Sequence, residues 1–354
     1  MTDAKDTPPS LLDHRLVIVS GKGGTGKTAV AAILAEAARR RGKKVLLAET
    51  APIESIAGLF EEPARPLGYE GRELRPGLRA LHIDPHAALA EYLGLQIRMR
   101  GLAKRILHTD TFRQLLEAAP GWRELIILGK VWHLEQQRDP FGRPLYDLVI
   151  VDAPATGHGL TFLDVPRVVQ QAVRKGPLTR HASWVEAMVH DRSRTLLLPV
   201  TLPEDLPVRE THELIARARG DLDIAVDRVV VNRVPAPIPA GMGAALARLP
   251  DDLPLEQLPR VPVFREVLGH LEQRTRLALE QRAEVSARCD LPVVDLPDLP
   301  LGFEAGGSWM EIVDAILEAP VWPQAGSDRS AAADTGAADA GNAGDSAGAA
   351  EASS

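Results

Sequence analysis

Residues 21 to 28 read GKGGTGKT, eight positions holding four glycines, two lysines and two threonines. Gly21, Gly23, Gly24 and Gly26, with Thr25 among them, let consecutive backbone N–H groups close around an anion. Lys27 is placed to balance the terminal phosphates of a nucleoside triphosphate, and the Thr28 hydroxyl to ligate Mg2+. A glycine turn between a strand and a helix would need no phosphate, so context has to decide. Before the loop, Leu16 to Val19 is a continuous apolar run. After it, Val30, Ile33, Leu34, Ala37 and Ala38 recur at helical spacing as far as Arg39, Arg40, Arg41 and Gly42, a cationic last turn and a glycine stop. Strand, glycine loop, helix is the order in which unpaired helix amides meet a phosphate. The second chemical signal is Asp152, which ends the apolar run Leu148 to Val151. An acid at the C-terminal edge of a parallel strand stands where a carboxylate reaches the magnesium shell through water; an aspartate that caps the next turn is the plainer alternative.

Positioning these groups takes a sheet. Strand-like runs occur at Leu16 to Val19, Val45 to Ala48, Leu81 to Ile83, Leu148 to Val151, Leu196 to Val200, Val229 to Val231 and Val293 to Val294, most of them separated by helix-length stretches. That alternation predicts an α/β fold, a doubly wound and mostly parallel sheet flanked by helices. The expected organisation is a flexible N-terminus over residues 1–14, one nucleotide-binding domain over 15–320, and a tail over 321–354. Helical segments over about 85–145 and 166–194 form the specificity region. In the second of them Val169, Val173, Trp184, Val185, Met188 and Val189 make an apolar stripe, either a core face or a groove for a client.

Composition narrows the partners. A formal net charge of -7 leaves no positive field to collect phosphate backbones or anionic lipid, which argues against nucleic acid. Cys289 is the single cysteine, so neither an intrachain disulfide nor a zinc site of paired cysteines within one subunit can form. The first fifteen residues carry Asp3, Asp6 and Asp13 rather than an apolar signal segment, and no run approaches the about 18 apolar residues of a membrane helix. The expectation is a cytoplasmic protein without stable membrane insertion.

Lys22 completes KGGTGKT, which resembles the deviant Walker A signature shared by the nitrogenase iron protein, the partition and cell-division ATPases, and the arsenite-pump and tail-anchored-protein targeting ATPases. The resemblance implies ATP and Mg2+ as cofactors, and a lysine at 22 that crosses a dimer interface to the partner's nucleotide. Asp152, Ala153, Pro154, Ala155, Thr156, Gly157 and His158 are similar to switch II of the last two families, with one exchange of alanine and proline, and Leu160, Phe162, Leu163 and Pro166 continue the match. Thr201 to Ile215 resembles the segment carrying an interface acid, here Glu204, and a Glu-Thr pair, here Glu210 and Thr211. Val229 to Pro237 resembles the strand that ends in an adenine-reading asparagine, here Asn232. Val261 to Val267 resembles the adenine-side loop, which would place Pro262 and Val263 beside the base.

The chain departs from the family after its second strand, where S-T-D-P-A-H is replaced by Glu49, Thr50, Ala51, Pro52, Ile53 and Glu54. Ala51 falls where the water-positioning aspartate belongs, leaving Glu49 and Glu54 as the nearest acids that could take over. The paired cysteines that bind arsenite or zinc in relatives are missing, which disfavours soft-metal ligation. Three readings remain: a dimeric ATPase switch, a nucleotide-sensing subunit that pairs with a paralogue and hydrolyses little, and a chaperone that targets membrane-protein clients. The partner is a second copy or a paralogue, together with an unidentified protein client.

From about Gln324 the chain is almost entirely Ala, Gly, Ser and Asp, a composition too poor in apolar surface to offset its conformational entropy. Deleting residues 324–354 is expected to leave the melting temperature and the nucleotide affinity unchanged, as calorimetry on the truncated chain would read.

Overall fold

The apolar runs assemble into one sheet. The computed structural model describes residues 11–61, 63–96, 121–154, 159–172, 176–235, 261–298 and 316–317. Its strands are β1 (Leu16–Ser20), β2 (Val45–Glu49), β3 (Arg72–Arg75), β4 (Leu78–His82), β5 (Leu148–Asp152), β6 (Thr195–Thr201), β7 (Val229–Val234) and β8 (Val293–Pro297). They lie in the order β3-β4-β2-β5-β1-β6-β7-β8. Neighbours run parallel except β3, which is antiparallel to β4. The described helices are α1 (Lys27–Arg40), α2 (Ala57–Phe60), α3 (Pro85–Gln96), α4 (Trp122–Gln136), α5 (Gly159–Ala172), α6 (Pro177–His190), α7 (Asp205–Gly220) and α8 (Val261–Cys289).

Strand β1 shows why the sheet must be covered on both faces. All five of its residues are buried, and they alternate between two cores. Val17 and Val19 join Val30, Ala31 and Leu34 of α1, while Leu16 and Ile18 join Ile127, Leu128 and Val131 of α4. Each such side chain contributes roughly 1.5–3 kcal/mol on burial, and a strand apolar on both faces has nowhere else to go. This is the doubly wound α/β fold, with the strand order reversing around β1, so the C-terminal ends of β1, β2 and β5 open toward one crevice.

Three expectations change. Leu11 and Leu12 form a short 3-10 turn (Leu11–Asp13) buried in the α1-side core, so at least these residues of the supposedly flexible first fourteen are ordered by two adjacent leucines that cannot remain in water. The first helical segment ends at Gln136 rather than near 145, because Asp139, Pro140, Gly142 and Pro144 make a turn that no helix continues through. Strand β3 had no sequence signal: RELR has one buried apolar residue, Leu74, and earns its place only by pairing with β4. The tail expected at 321–354 lies outside the described residues.

Candidate functional site

The glycine loop leaves β1 at Ser20 and enters α1 at Lys27. Two of its glycines are sterically required. A Cβ on Gly21, whose φ is +152°, would lie 2.1 Å from the carbonyl oxygen of Val200, and one on Gly26, at φ +87°, would lie 2.1 Å from Asn232 Nδ2. Gly26 offers no side chain to cap α1, so the first amides of the helix stay open at the loop.

The loop's own groups bond to one another and to Asn232. The Lys22 carbonyl accepts from Lys27 Nζ at 3.0 Å and from Thr25 Oγ1 at 2.9 Å. Thr28 Oγ1 donates to Asp152 Oδ2 at 2.6 Å, and Asn232 Nδ2 donates to the Thr25 carbonyl at 2.9 Å. Lys27 is 6% exposed, and burial lowers its pKa against the pull of Asp152. Asp152 is 2% exposed, and burial raises its pKa to about 6, helped by Glu49 and opposed by Thr28 and Lys27. Its second oxygen, Oδ1, is buried with no hydrogen-bond partner among the described residues. A carboxylate oxygen left over beside a threonine hydroxyl is a pair of oxygen donors that fits Mg2+ reached directly or through water, with Lys27 as the neighbouring cation that faces the phosphates. Thr28 and Asp152 are thus brought together as expected, 124 positions apart in sequence.

The two substitute acids are not free. Glu49 pairs in register with Asp152 on the neighbouring strand and is fully buried. Its Oε1 accepts from Ser55 N, Ser55 Oγ and Ile56 N at 2.6, 2.7 and 3.2 Å, while burial raises its pKa. It therefore pins the loop that follows β2. Glu54 turns away from the phosphate side, accepts from the backbone of Leu67 and Gly68, and lies 3.7 Å from His82. His82 in turn donates from Nε2 to the Ala51 carbonyl at 2.7 Å, and Thr50 Oγ1 donates to the Asp152 carbonyl at 2.6 Å. Sequence reasoning missed Thr50. Its only signal is its place one residue beyond a strand that ends in an acid.

Lys22 Nζ lies 3.1 Å from Glu210 Oε1 on α7 of the same chain. Glu204 stands at the N-terminal boundary of α7 without capping it. Pro262 and Val263 do not lie in a loop. They fall in the first turn of α8, where proline is tolerated because first-turn amides lack intrahelical acceptors. A cleft of about 580 Å³ beside Arg233 includes Leu202 and Glu204, Arg274 and Leu277 of α8, and Asp298 directly after β8 in its lining, so the predicted Glu204 borders it. Ala155, Thr156, Gly157 and His158 lie outside the described residues.

A family model described as anion-transporting ATPase matches residues 14–183. ATPase BagA of Mycobacterium tuberculosis is 32% identical over 340 residues, covering 88% of this chain and 95% of the relative. The ATPase get3 of Botryotinia fuckeliana is 27% identical over 64% of this chain and 75% of its own length. A putative arsenical pump-driving ATPase of Aquifex aeolicus is 25% identical over 62% of this chain and 80% of its own.

The buried carboxyl makes a signed prediction. Because its folded pKa is raised, Asp152 favours the folded state at low pH and loses that contribution as pH rises from the unfolded value through about 6. Asp152→Asn is therefore expected to raise the melting temperature of the nucleotide-free protein at pH 7.5, by a few degrees per kcal/mol recovered, and to change it little at pH 4. The same substitution removes the Mg2+ dependence of nucleotide affinity, read by titration calorimetry with and without the metal.

Proposed function

Because the chain belongs to the anion-transporting ATPase family, we propose that it is a dimeric, Mg2+-dependent ATP switch whose own hydrolysis is slow. The observation that carries this reading is an alanine, Ala51, at the position where the family resemblance calls for the water-positioning aspartate, with both neighbouring acids engaged elsewhere.

In this mechanism the triphosphate replaces the Lys22 carbonyl as the partner of Lys27, and the open amides at the start of α1 receive the β- and γ-phosphate oxygens. Thr28 and Asp152 would hold a magnesium ion, whose chemistry there would be to neutralise charge on the terminal phosphates. Asn232, already braced against Thr25, stands at the base side of the loop. Glu49 stays fixed to Ser55 and Ile56, so it orders the loop after β2 instead of taking a proton from water. Lys22 is released from Glu210 when a partner's nucleotide offers a stronger anion. That exchange makes dimer geometry depend on ATP.

A second reading, a sensing subunit that pairs with a catalytically complete paralogue, draws on the same Ala51. The client-targeting reading has less behind it. Val185, Met188 and Val189 are fully buried in the core, and of the stripe's described members only Trp184 is exposed. Val173 lies outside the described residues. Soft-metal handling is equally disfavoured, since Cys289 is buried and burial pushes its thiol up to about 11.

Two measurements test the proposal. Ala51→Asp should raise single-turnover hydrolysis by roughly 10²-fold, with nucleotide affinity nearly unchanged, because a positioned base contributes about 10² to 10⁴. Brisk hydrolysis by the unaltered chain would overturn the slow-switch reading. Sedimentation with a non-hydrolysable ATP analogue should show association in the unaltered chain and lose it in Lys22→Ala. A chain that stays monomeric in both, alone and with any paralogue, contradicts the dimer.

A further inference from the structure

Away from the phosphate loop, on the side of the sheet covered by α4, a cavity of about 170 Å³ opens between α3, α4 and α6. Its walls are aromatic. Trp132 and Trp184 stack with centroids 5.2 Å apart and planes inclined by 13°, and His181 makes ring contacts with Tyr92, Trp132 and Trp184 at 4.8, 5.9 and 6.3 Å. The arrangement depends on Gly129. A Cβ at that helical position would lie 2.2 Å from His181 Nε2. A mid-helix glycine costs roughly 0.5–1 kcal/mol relative to alanine, a cost that here admits the imidazole against the α4 backbone.

The polar groups define what the cavity can take. Tyr92 Oη is buried with no hydrogen-bond partner among the described residues, an arrangement that usually marks a place for water or ligand. His181 is 7% exposed, and burial lowers its pKa, so it presents a neutral ring. Glu91 would suit a cation held in an aromatic cage, but its carboxylate already accepts from Lys130 at 2.6 Å and from Tyr69. The Lys130 ammonium, 4.5 Å from the Tyr69 ring, is neutralised by the same contact. Among the described lining residues the carboxylate and the ammonium are thus paired with each other, and His133 on α4 is the one further ionisable group apart from His181 and Tyr92. The ligand that fits is neutral, flat and polar at one point.

We propose that the α3–α4–α6 cavity is a binding site for a small neutral aromatic or heteroaromatic molecule of one or two rings, stacked against Trp132 and Trp184 and hydrogen-bonded to Tyr92 Oη. The size agrees, since an apolar protein cavity of roughly 150 Å³ accommodates benzene. Trp184, 44% exposed, stands at the mouth, and since the two indoles cover one face of each other a ligand can stack only on an outer face of the pair. The site is separate from the nucleotide machinery, because none of its lining residues belongs to the loop, to Asp152 or to Asn232.

Ligand-observed NMR on the full chain, with phenol, indole, toluene and cyclohexanol as probes, tests this. Phenol and indole are expected to bind saturably with Kd on the order of 0.1–1 mM, as suits ligands of so few atoms. Trp184→Ala should weaken both by at least about tenfold, and Trp184→Phe by less, since stacking contributes about 0.5–1.5 kcal/mol beyond area. Tyr92→Phe should weaken phenol and indole by about three- to tenfold and leave toluene unaffected, with no loss of melting temperature because the removed hydroxyl had no partner. Mg-ATP affinity should be the same in all three variants. The proposal is overturned if neither phenol nor indole binds, if Trp184→Ala leaves their affinity unchanged, or if cyclohexanol binds as well as phenol. It is also overturned if only a peptide bearing an aromatic side chain competes for the site.

Discussion

Three ionisable side chains, Lys27, Asp152 and Glu49, are buried where the α1 entry and the ends of two adjacent strands meet. Burial drives each toward its neutral form: the lysine pKa falls and both carboxyl pKa values rise. Charges taken out of water need partners, and the protein supplies only some of them. Among the described residues Lys27 bonds to a backbone carbonyl and one oxygen of Asp152 has no partner. Under the proposed function, a polyanion carrying a divalent cation would meet both requirements at once. The loop glycines, the strand order around β1 and the brace from Asn232 are all arrangements that hold this unfinished charge set in place.

How much of this was legible in the chain depends on how local each feature is. The phosphate loop is eight consecutive residues flanked by a strand and a helix, so its chemistry could be read directly. The parallel strands were visible because both of their faces are buried, which leaves continuous apolar runs. Strand β3 was not, because its pattern is charged and its pairing partner, not its composition, makes it a strand. The same distinction separates the acids. Asp152 could be placed from the run it ends. That Glu49 would be consumed by Ser55 and Ile56, and Glu54 by Leu67 and Gly68, depends on the path of the loop after β2. Likewise, Lys22 meets Glu210 across 188 positions of sequence, a contact no local pattern announces.

The expectation that Pro262 and Val263 lie in a loop changes for a related reason. A short apolar segment containing proline reads equally well as a loop or as the first turn of a helix, and α8 resolves the ambiguity by running 29 residues from Val261. The cleft beside Arg233 is bordered by later turns of α8 itself and by Asp298, since parallel pairing of β7 with β8 brings the ends of those two strands together. Sheet register, rather than resemblance between short segments, decides which loops share a crevice.

Strand β3 has a further consequence, for how copies of the molecule can meet. A sheet edge is an open row of amides and carbonyls that a second chain can extend, the commonest route to unwanted polymerisation. Here the outermost strand is four residues long, antiparallel to the rest and studded with Arg72, Glu73 and Arg75; Arg72 is further tied to Glu61. Extending the sheet at that border would require desolvating a row of charges. Association through continuous β-structure is therefore discouraged at this end of the sheet.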